Sequence, residues 1–130
     1  MSYHFSRTMD RPFDDAVAIV TEVLKSNGFG IVSEIDVGAT LRTKLGVDFR
    51  PYRILGACNP GLAHQAILAE SRIGTMLPCN VVIQQIDENK VEISGIDPIA
   101  SMLAIDNPQL GEIARKVQEL MKKVIDELPA

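Results

Sequence analysis

Apolar residues recur at three- and four-residue spacing in the stretch that follows Pro12, and this spacing predicts a first helix. The apolar stripe consists of Phe13, Ala16, Val17, Val20, Val23 and Leu24. Asp14 and Asp15 fall in the first turn, where the positive end of the helix dipole favours negative charge. The step Asn27-Gly28 is expected to end this helix, because both residues tolerate the left-handed conformation of a C-cap.

Alternation of apolar and polar residues, which is typical of a strand with one buried face, predicts five short strands. These strands cover residues 3–8, 30–37, 52–58, 80–86 and 90–96. The last two flank the polar connection Asp87-Glu88-Asn89, which is typical of a β-hairpin. The sheet is therefore expected to be mainly antiparallel.

Two Asn-Pro steps predict the starts of two further helices, since asparagine is a good N-cap and proline suits the first helical position. The step at Asn59 precedes a helix through residues 62–70. The step at Asn107 precedes a long apolar stripe through residues 110–128. Three helices are therefore expected in all.

Two short segments are less regular than these elements. Residues 40–45 are expected to form one helical turn before Gly46, and residues 99–105 fit either a buried helical turn or a packed loop. The regular elements follow the order β-α-β-β-α-β-β-α, which predicts an α+β domain whose helices cover one face of the sheet. Because no linker, repeat or low-complexity tract divides the chain, residues 1–130 are predicted to form a single domain.

The composition is that of a mildly acidic globular protein. The chain has 130 residues, with 13 Lys+Arg against 17 Asp+Glu and a formal net charge of −4. This balance argues against general binding to nucleic acid or to anionic membranes, because both need a clustered positive surface. The sequence begins without the apolar core of a signal peptide and contains no run near the roughly 20 apolar residues of a membrane span. We therefore expect a cytoplasmic protein whose two cysteines are free thiols.

The sharpest local feature is a Cys-Asn step that occurs twice, each time at the junction of a strand and a loop. It lies in residues 57–60, Ala-Cys-Asn-Pro, and in residues 78–81, Pro-Cys-Asn-Val. Cys58 stands just before a predicted helix, where unpaired N–H groups and the helix dipole favour a thiolate. Cys58 is therefore a candidate nucleophile, redox thiol or soft-metal ligand. Alternatively, Cys58 and Cys79 are both small buried residues, as free cysteines commonly are.

His64 follows Cys58 by six residues and is a candidate general base toward it. Glu70 is a second candidate base. His64 is also a candidate third metal ligand beside Cys58 and Cys79, although a structural zinc site uses about four ligands, so a site built from one chain would be incomplete. A single histidine on a helix is more often a residue of the surface or the core edge.

Glu34 and Asp36 lie two residues apart on one predicted strand, so their carboxylates share a face of the sheet. Such a pair can coordinate a hard cation or take part in acid–base chemistry. The alternative is that the pair forms the solvated side of a half-buried sheet, or faces a basic partner such as Arg53 on a neighbouring strand.

The Cys-Asn motifs belong to a longer pattern that covers nearly the whole chain. Its parts are GFGIVSEIDV at residues 28–37, Thr40-Leu41, KLGVDF at residues 44–49, YRILGACNP at residues 52–60, Glu70, Ile73-Gly74, LPCNVV at residues 77–82, Asp97-Pro98 and Met102. This pattern resembles the bacterial and archaeal family catalogued as domain of unknown function 302. The resemblance implies an α+β sandwich similar to the TATA-binding-protein-like fold, with helices on one face of a curved, mainly antiparallel sheet and commonly a homodimer. It implies little about activity.

Three functional hypotheses follow. The first is a small cytoplasmic homodimeric protein that binds a small ligand or a soft metal near the Cys-Asn motifs. Its candidate ligand-binding residues are Cys58, Asn59, Cys79, Asn80, Glu34, Asp36 and Arg53, and its candidate metal ligands are Cys58, Cys79 and His64. The second is a thiol enzyme or redox protein with Cys58 as nucleophile and His64 or Glu70 as base. The third is a structural interaction module.

The expected homodimer forms through the sheet face that no helix covers. Tyr52, Ile54 and the hairpin at residues 80–96 are expected to pair there across a two-fold axis. No nucleic-acid or membrane partner is expected, and the sequence names no cofactor.

Overall fold

The chain folds around one five-stranded antiparallel sheet in a computed structural model that describes residues 2–130. Its strands are β1 (His4–Met9), β2 (Gly30–Asp36), β3 (Tyr52–Cys58), β4 (Cys79–Asp87) and β5 (Lys90–Ile96). They lie in the order β1-β5-β4-β3-β2, and every neighbouring pair is antiparallel. The predicted α+β class is therefore confirmed. Met1 of the predicted single domain lies outside the described residues.

A helix follows every strand except β4, which is joined to β5 by a short turn. The helices are α1 (Phe13–Ser26), α2 (Val37–Leu45), α3 (Pro60–Ala69), α4 (Pro98–Ser101) and α5 (Pro108–Glu127), with a 3-10 helix at Ser71–Met76. This order contains the predicted succession of strands and long helices, with three shorter helical segments added. No helix in residues 2–130 has the length and apolar character needed to cross a membrane. The TATA-binding-protein-like label stays a prediction.

Side-chain caps begin the helices at the predicted Asn-Pro steps. The Oδ1 atom of Asn59 accepts a hydrogen bond of 3.0 Å from the N–H of Leu62. The Oδ1 atom of Asn107 accepts one of 3.0 Å from the N–H of Gln109. These bonds satisfy N–H groups that have no partner within the helix, and they fix where α3 and α5 start.

The short helical segments depend on single capping carboxylates, and for that reason their lengths escaped prediction. Asp36 accepts from the N–H of Ala39 at 3.0 Å and starts α2 three residues before the expected turn. Asp97 accepts from the N–H of Ile99 at 3.0 Å and starts α4. Segments of four to nine residues are too short for hydrophobic periodicity to reveal them.

Helices α1 and α5 pack against one face of the sheet and enclose the main core. The sheet contributes the fully buried side chains of Leu55, Val81, Ile83, Val91 and Ile93 to this core. A second, smaller cluster joins α3, the 3-10 helix and α5, and it consists of Ala66, Ile73, Leu110 and Ile113. The junction of the two clusters lies at the end of the sheet where β3 stops and β4 starts.

The face opposite α1 and α5, which we call the open face, carries exposed and half-buried side chains. The strand registers place Ile35 opposite Ile54, Ile54 opposite Val82, Val82 opposite Ser94, and Ser94 opposite Ser6. This row changes from apolar to polar as it crosses the sheet. The apolar half of the open face comprises Ile35, Tyr52, Ile54 and Val82, and the polar half comprises His4, Ser6, Asn80, Gln84, Glu92 and Ser94.

Candidate functional site

Cys58 and Cys79 lie side by side on neighbouring strands. Cys58 is the last residue of β3, and Cys79 is the first residue of β4. Because Ala57 pairs directly with Cys79, the two cysteines differ by one position in register. Both thiols are free, with Cys79 buried and Cys58 half-buried. The antiparallel pairing of β3 with β4 thus brings together two residues that are far apart in the sequence.

The two cysteines line one cavity of about 30 Å³ at the junction of the two hydrophobic clusters. Phe29 contributes to the wall from the sheet side, Leu62 and Ala66 from α3, and Ile113 and Val117 from α5. A space of this size holds an ion or one or two water-sized groups, whereas pockets for drug-sized ligands measure about 300–1,000 Å³. The cavity is therefore small and mostly apolar, and its two thiols are its reactive groups.

Burial controls the chemistry of Cys79. Desolvation and, to a lesser extent, the charge of the nearby Cys58 raise the pKa of the Cys79 thiol from 9.0 to about 11. Desolvation acts in this direction because it penalises the charged thiolate. At neutral pH Cys79 is protonated, and a protonated thiol is a poor nucleophile. A ligand that bonds to this sulfur must displace its proton.

In the reduced protein without added metal, this raised pKa predicts that stability falls as the pH increases from about 9 to about 11. Below this window Cys79 is protonated in both the folded and the unfolded chain. Within it the unfolded chain loses the proton while the folded chain keeps it, so unfolding becomes more favourable. We expect the full effect to approach about 2–3 kcal/mol.

Urea unfolding of the parent protein and of Cys79→Ala, each measured at about pH 8 and about pH 10.5, checks this expectation. The variant is the control, because it retains every other group that titrates in the same window. The difference in the free energy of unfolding between the two proteins should shrink at the higher pH. A difference that is independent of pH would contradict the raised pKa.

The two asparagines of the Cys-Asn steps have separate positions. Asn59 borders the cavity and caps α3 through its bond to Leu62, so it holds Cys58 at the start of the helix. Asn80 pairs with Gly56 on β3 and is exposed at the open face. The structure therefore brings Cys58, Asn59 and Cys79 together and leaves Asn80 on the other side of the sheet.

The candidate bases lie away from the cysteines. His64 is exposed on α3, whose cavity-lining residues are on a different side of the helix. The carboxylate of Glu70 accepts a 3.1 Å hydrogen bond from the N–H of Arg72 and starts the 3-10 helix. Across residues 2–130, no group of three or more His, Cys, Asp or Glu side chains is gathered to hold a metal ion. The set Cys58, Cys79 and His64 is therefore not assembled within one chain.

Arg53 lies between Glu34 and Asp36, toward the opposite end of β3. Its Nη1 atom is 3.4 Å from Glu34 Oε1, and its Nη2 atom is 3.6 Å from Asp36 Oδ2. The guanidinium also lies over the ring of Phe13, 5.5 Å from its centre. Cys58 lies five positions after Arg53 on β3. This offset corresponds to a distance of about 17 Å along the strand, at about 3.3 Å per residue. The two carboxylates thus form an ion-pair group with Arg53, separate from the thiol cavity.

Hydrophobic periodicity does not predict part of the cavity wall. Ile113 and Val117 belong to the long apolar stripe of α5, so their burial could be predicted. Leu77 and Met102 also line the cavity, but they lie outside the predicted helices and strands. Their contribution follows from the way the 3-10 helix and α4 pack against α5, which periodicity does not reveal.

Comparisons with known proteins agree with this fold. The model of the family described as Domain of unknown function DUF302 matches residues 5–128. The chain is also similar to the solved structure described as "Crystal structure of uncharacterized conserved protein DUF302 from Bacillus stearothermophilus". The TM-score is 0.87 at 27% sequence identity, and the match covers 97% of this chain and 98% of the other. No curated protein matches the chain.

Proposed function

The chain belongs to the family of the domain of unknown function DUF302, and we propose that it binds one soft monovalent metal ion, such as Cu(I), between the sulfurs of Cys58 and Cys79. The observation that carries this proposal is that two free thiols line one cavity, and the influence of Cys58 on the pKa of Cys79 agrees with their proximity. Soft thiolate ligands select Cu(I) over harder cations. Two sulfurs suffice for such an ion, whereas a structural zinc site uses four ligands.

The size and polarity of the cavity favour an ion over an organic ligand. About 30 Å³ accommodates a single ion but not a molecule of many atoms. The residues that line the cavity are mostly apolar and include no carboxylate, so hard cations such as Ca²⁺ or Mg²⁺ are disfavoured. The thiols of Cys58 and Cys79 are the strongest soft ligands at this site, and the thioether of Met102 also borders the cavity.

Binding exchanges protons for the metal. Each thiol that bonds to the ion through sulfur releases its proton to solvent, and two thiolates with one monovalent ion carry a net charge of −1. Cys58 precedes the N-terminal end of α3, where the positive end of the helix dipole stabilises negative charge. This placement offsets part of the cost of holding the charged complex in an apolar cavity.

An anaerobic titration with Cu(I), supplied from a chelator of known affinity, tests the proposal. We expect one ion per chain in the parent protein. Cys58→Ala and Cys79→Ala should each weaken binding by about 100-fold or more, because losing a ligand costs more than losing a group outside the ligand shell, for which 10–100-fold is usual. His64→Ala and Asn80→Ala are the matched controls, and neither should change the affinity.

Thermal melts of the variants separate loss of the ligand from loss of the fold. The proposal fails if either cysteine variant melts as a folded protein and binds Cu(I) as tightly as the parent. It also fails if His64→Ala weakens binding as much as the cysteine variants do.

We further propose that the protein is a cytoplasmic homodimer that pairs along the edge strand β2, through Ile35 and Ile54 of the open face. A reducing compartment keeps its thiols free. Ile35 is 48% exposed on the edge strand β2, beside Ile54 of β3, and pairing across a two-fold axis would cover both. Light scattering at micromolar concentration should give about twice the chain mass of 14.2 kDa. A mass near that of one chain would reject the dimer.

A further inference from the structure

Side chains from four strands, most of them polar, line a cleft on the open face, on the other side of the sheet from the core and the cysteine cavity. The cleft has a volume of about 250 Å³. Side chains that contribute to it include His4, Tyr52, Asn80, Gln84, Glu92 and Ser94. The hydrogen bonds of its floor, its charge balance and its apolar border together indicate what kind of molecule it fits.

Ser94 and His4, which line the cleft, are linked through the hydroxyl of Ser6 in a hydrogen-bonded chain. Ser94 Oγ and Ser6 Oγ are 2.7 Å apart across the β5–β1 pair. Ser6 Oγ is in turn 2.7 Å from the Nδ1 atom of His4. A hydroxyl both donates and accepts, so this chain can present a donor or an acceptor to a ligand by rotating its protons.

The neighbouring part of the floor is a second hydrogen-bonded chain with a charge at each end. Arg50 donates from Nη2 to Gln84 Oε1 at 2.9 Å and from Nε to the same oxygen at 3.1 Å. Gln84 Nε2 donates to Glu92 Oε1 at 3.4 Å. Glu92 lines the cleft, and Arg50 lies beside the cleft, on the other side of the Gln84 amide, without lining it. The positive charge of Arg50 offsets part of the field of Glu92, so the floor strongly favours neither an anion nor a cation.

Apolar groups border these polar chains. Tyr52, Val82 and Ile96 line the same cleft. The cleft therefore offers hydrogen-bond donors and acceptors beside apolar surface. A ring that carries several hydroxyl groups has this combination, with hydroxyls at its edge and C–H groups on its faces.

We propose that the cleft is a binding site for a small neutral polyhydroxylated ring, such as a monosaccharide or a cyclic polyol. Its hydroxyls would donate to Glu92 and exchange hydrogen bonds with Ser94 and the amide of Asn80. Its C–H face would pack on Val82 and the ring of Tyr52. This site is distinct from the proposed metal site, and either can fail without affecting the other.

Titrations followed by backbone amide shifts in NMR test this proposal, with D-glucose and myo-inositol as the neutral probes. We expect saturable shifts at Ser94, Glu92 and Ser6 for at least one of the two. The double variant Glu92→Gln/Ser94→Ala should weaken binding by about tenfold or more, since each lost hydrogen bond removes a substantial part of a weak affinity. The matched control is Glu88→Gln/Ser26→Ala, which makes the same chemical changes at exposed positions outside the cleft and should leave binding unchanged.

Putrescine and citrate provide the charged comparisons. Tighter binding of either at the cleft would overturn the assignment to a neutral ring. Absence of shifts with both neutral probes up to about 100 mM would overturn it as well, because three or four net hydrogen bonds should give a detectable affinity at that concentration. Cleft shifts that grow with protein concentration alone would assign the cleft to a second copy of the chain and would also reject the proposal.

Discussion

Val20→Asp should lower the free energy of unfolding by about 3–5 kcal/mol. Val20 is fully buried in α1 and belongs to the main core between the helices and the sheet. Its neighbours in this core are hydrophobic, so the new carboxylate would have to be buried without a charged partner or be buried in its protonated form. Either outcome lowers the free energy of unfolding, because the folded chain gains no new contact that compensates for the cost.

Glu22→Ala is the matched control for this helix, since Glu22 is exposed on the same element. It should change the free energy of unfolding by no more than about 0.5 kcal/mol. Urea or thermal unfolding followed by circular dichroism measures both variants. Equal shifts in the melting temperature would show that α1 does not present Val20 to the core.

The second large effect is expected at Gly95, where α5 approaches the sheet closely. A Cβ atom added at Gly95 would lie 2.6 Å from Met121 Sδ and 2.9 Å from Met121 Cγ. Met121 is fully buried, so it has little room to move aside. Gly95→Val should therefore push α5 away from β5 and destabilise the protein by about 2–3 kcal/mol.

For Gly111→Ala, a substitution within α5 itself, we expect the opposite effect on the free energy of unfolding. A Cβ at Gly111 would meet nothing within 4 Å, and alanine is favoured over glycine in a helix by about 0.5–1 kcal/mol. The free energy of unfolding should rise slightly for Gly111→Ala and fall for Gly95→Val. If Gly95→Val were as stable as the parent protein, the close contact between α5 and the sheet would be wrong.

The fold was predictable where one sequence signal decides a local structure. Asn59 and Asn107 cap α3 and α5 as their Asn-Pro steps predict, and the apolar stripe that includes Val20 is buried. A turn over residues 40–45 was predictable, and residues 99–105 were compatible with one, but the bounds of these short helices were not predictable, because a single carboxylate such as Asp36 or Asp97 starts each of them. A cap of this kind resembles many aspartates in loops until the backbone that it contacts is known.

The candidate site was predictable only as a set of residue types. The repeated Cys-Asn step directs attention to Cys58 and Cys79, but their proximity depends on the register of β3 against β4, which the sequence leaves open. A shift of one residue in that register would move every side chain of one strand to the other face. Alternation along β4 places Asn80 on the open face, away from Cys79, although the two residues are neighbours in the sequence motif.

Copper K-edge X-ray absorption on protein loaded anaerobically with one Cu(I) per chain examines the proposed thiol site most directly, because it counts and identifies the atoms bonded to the metal. If Cys58 and Cys79 of one chain hold the ion, the spectrum should show two sulfur neighbours and no nitrogen or oxygen in the ligand shell. A shell that contains nitrogen, or one with a third sulfur from Met102 or from another chain, would contradict a site made of the two thiolates alone.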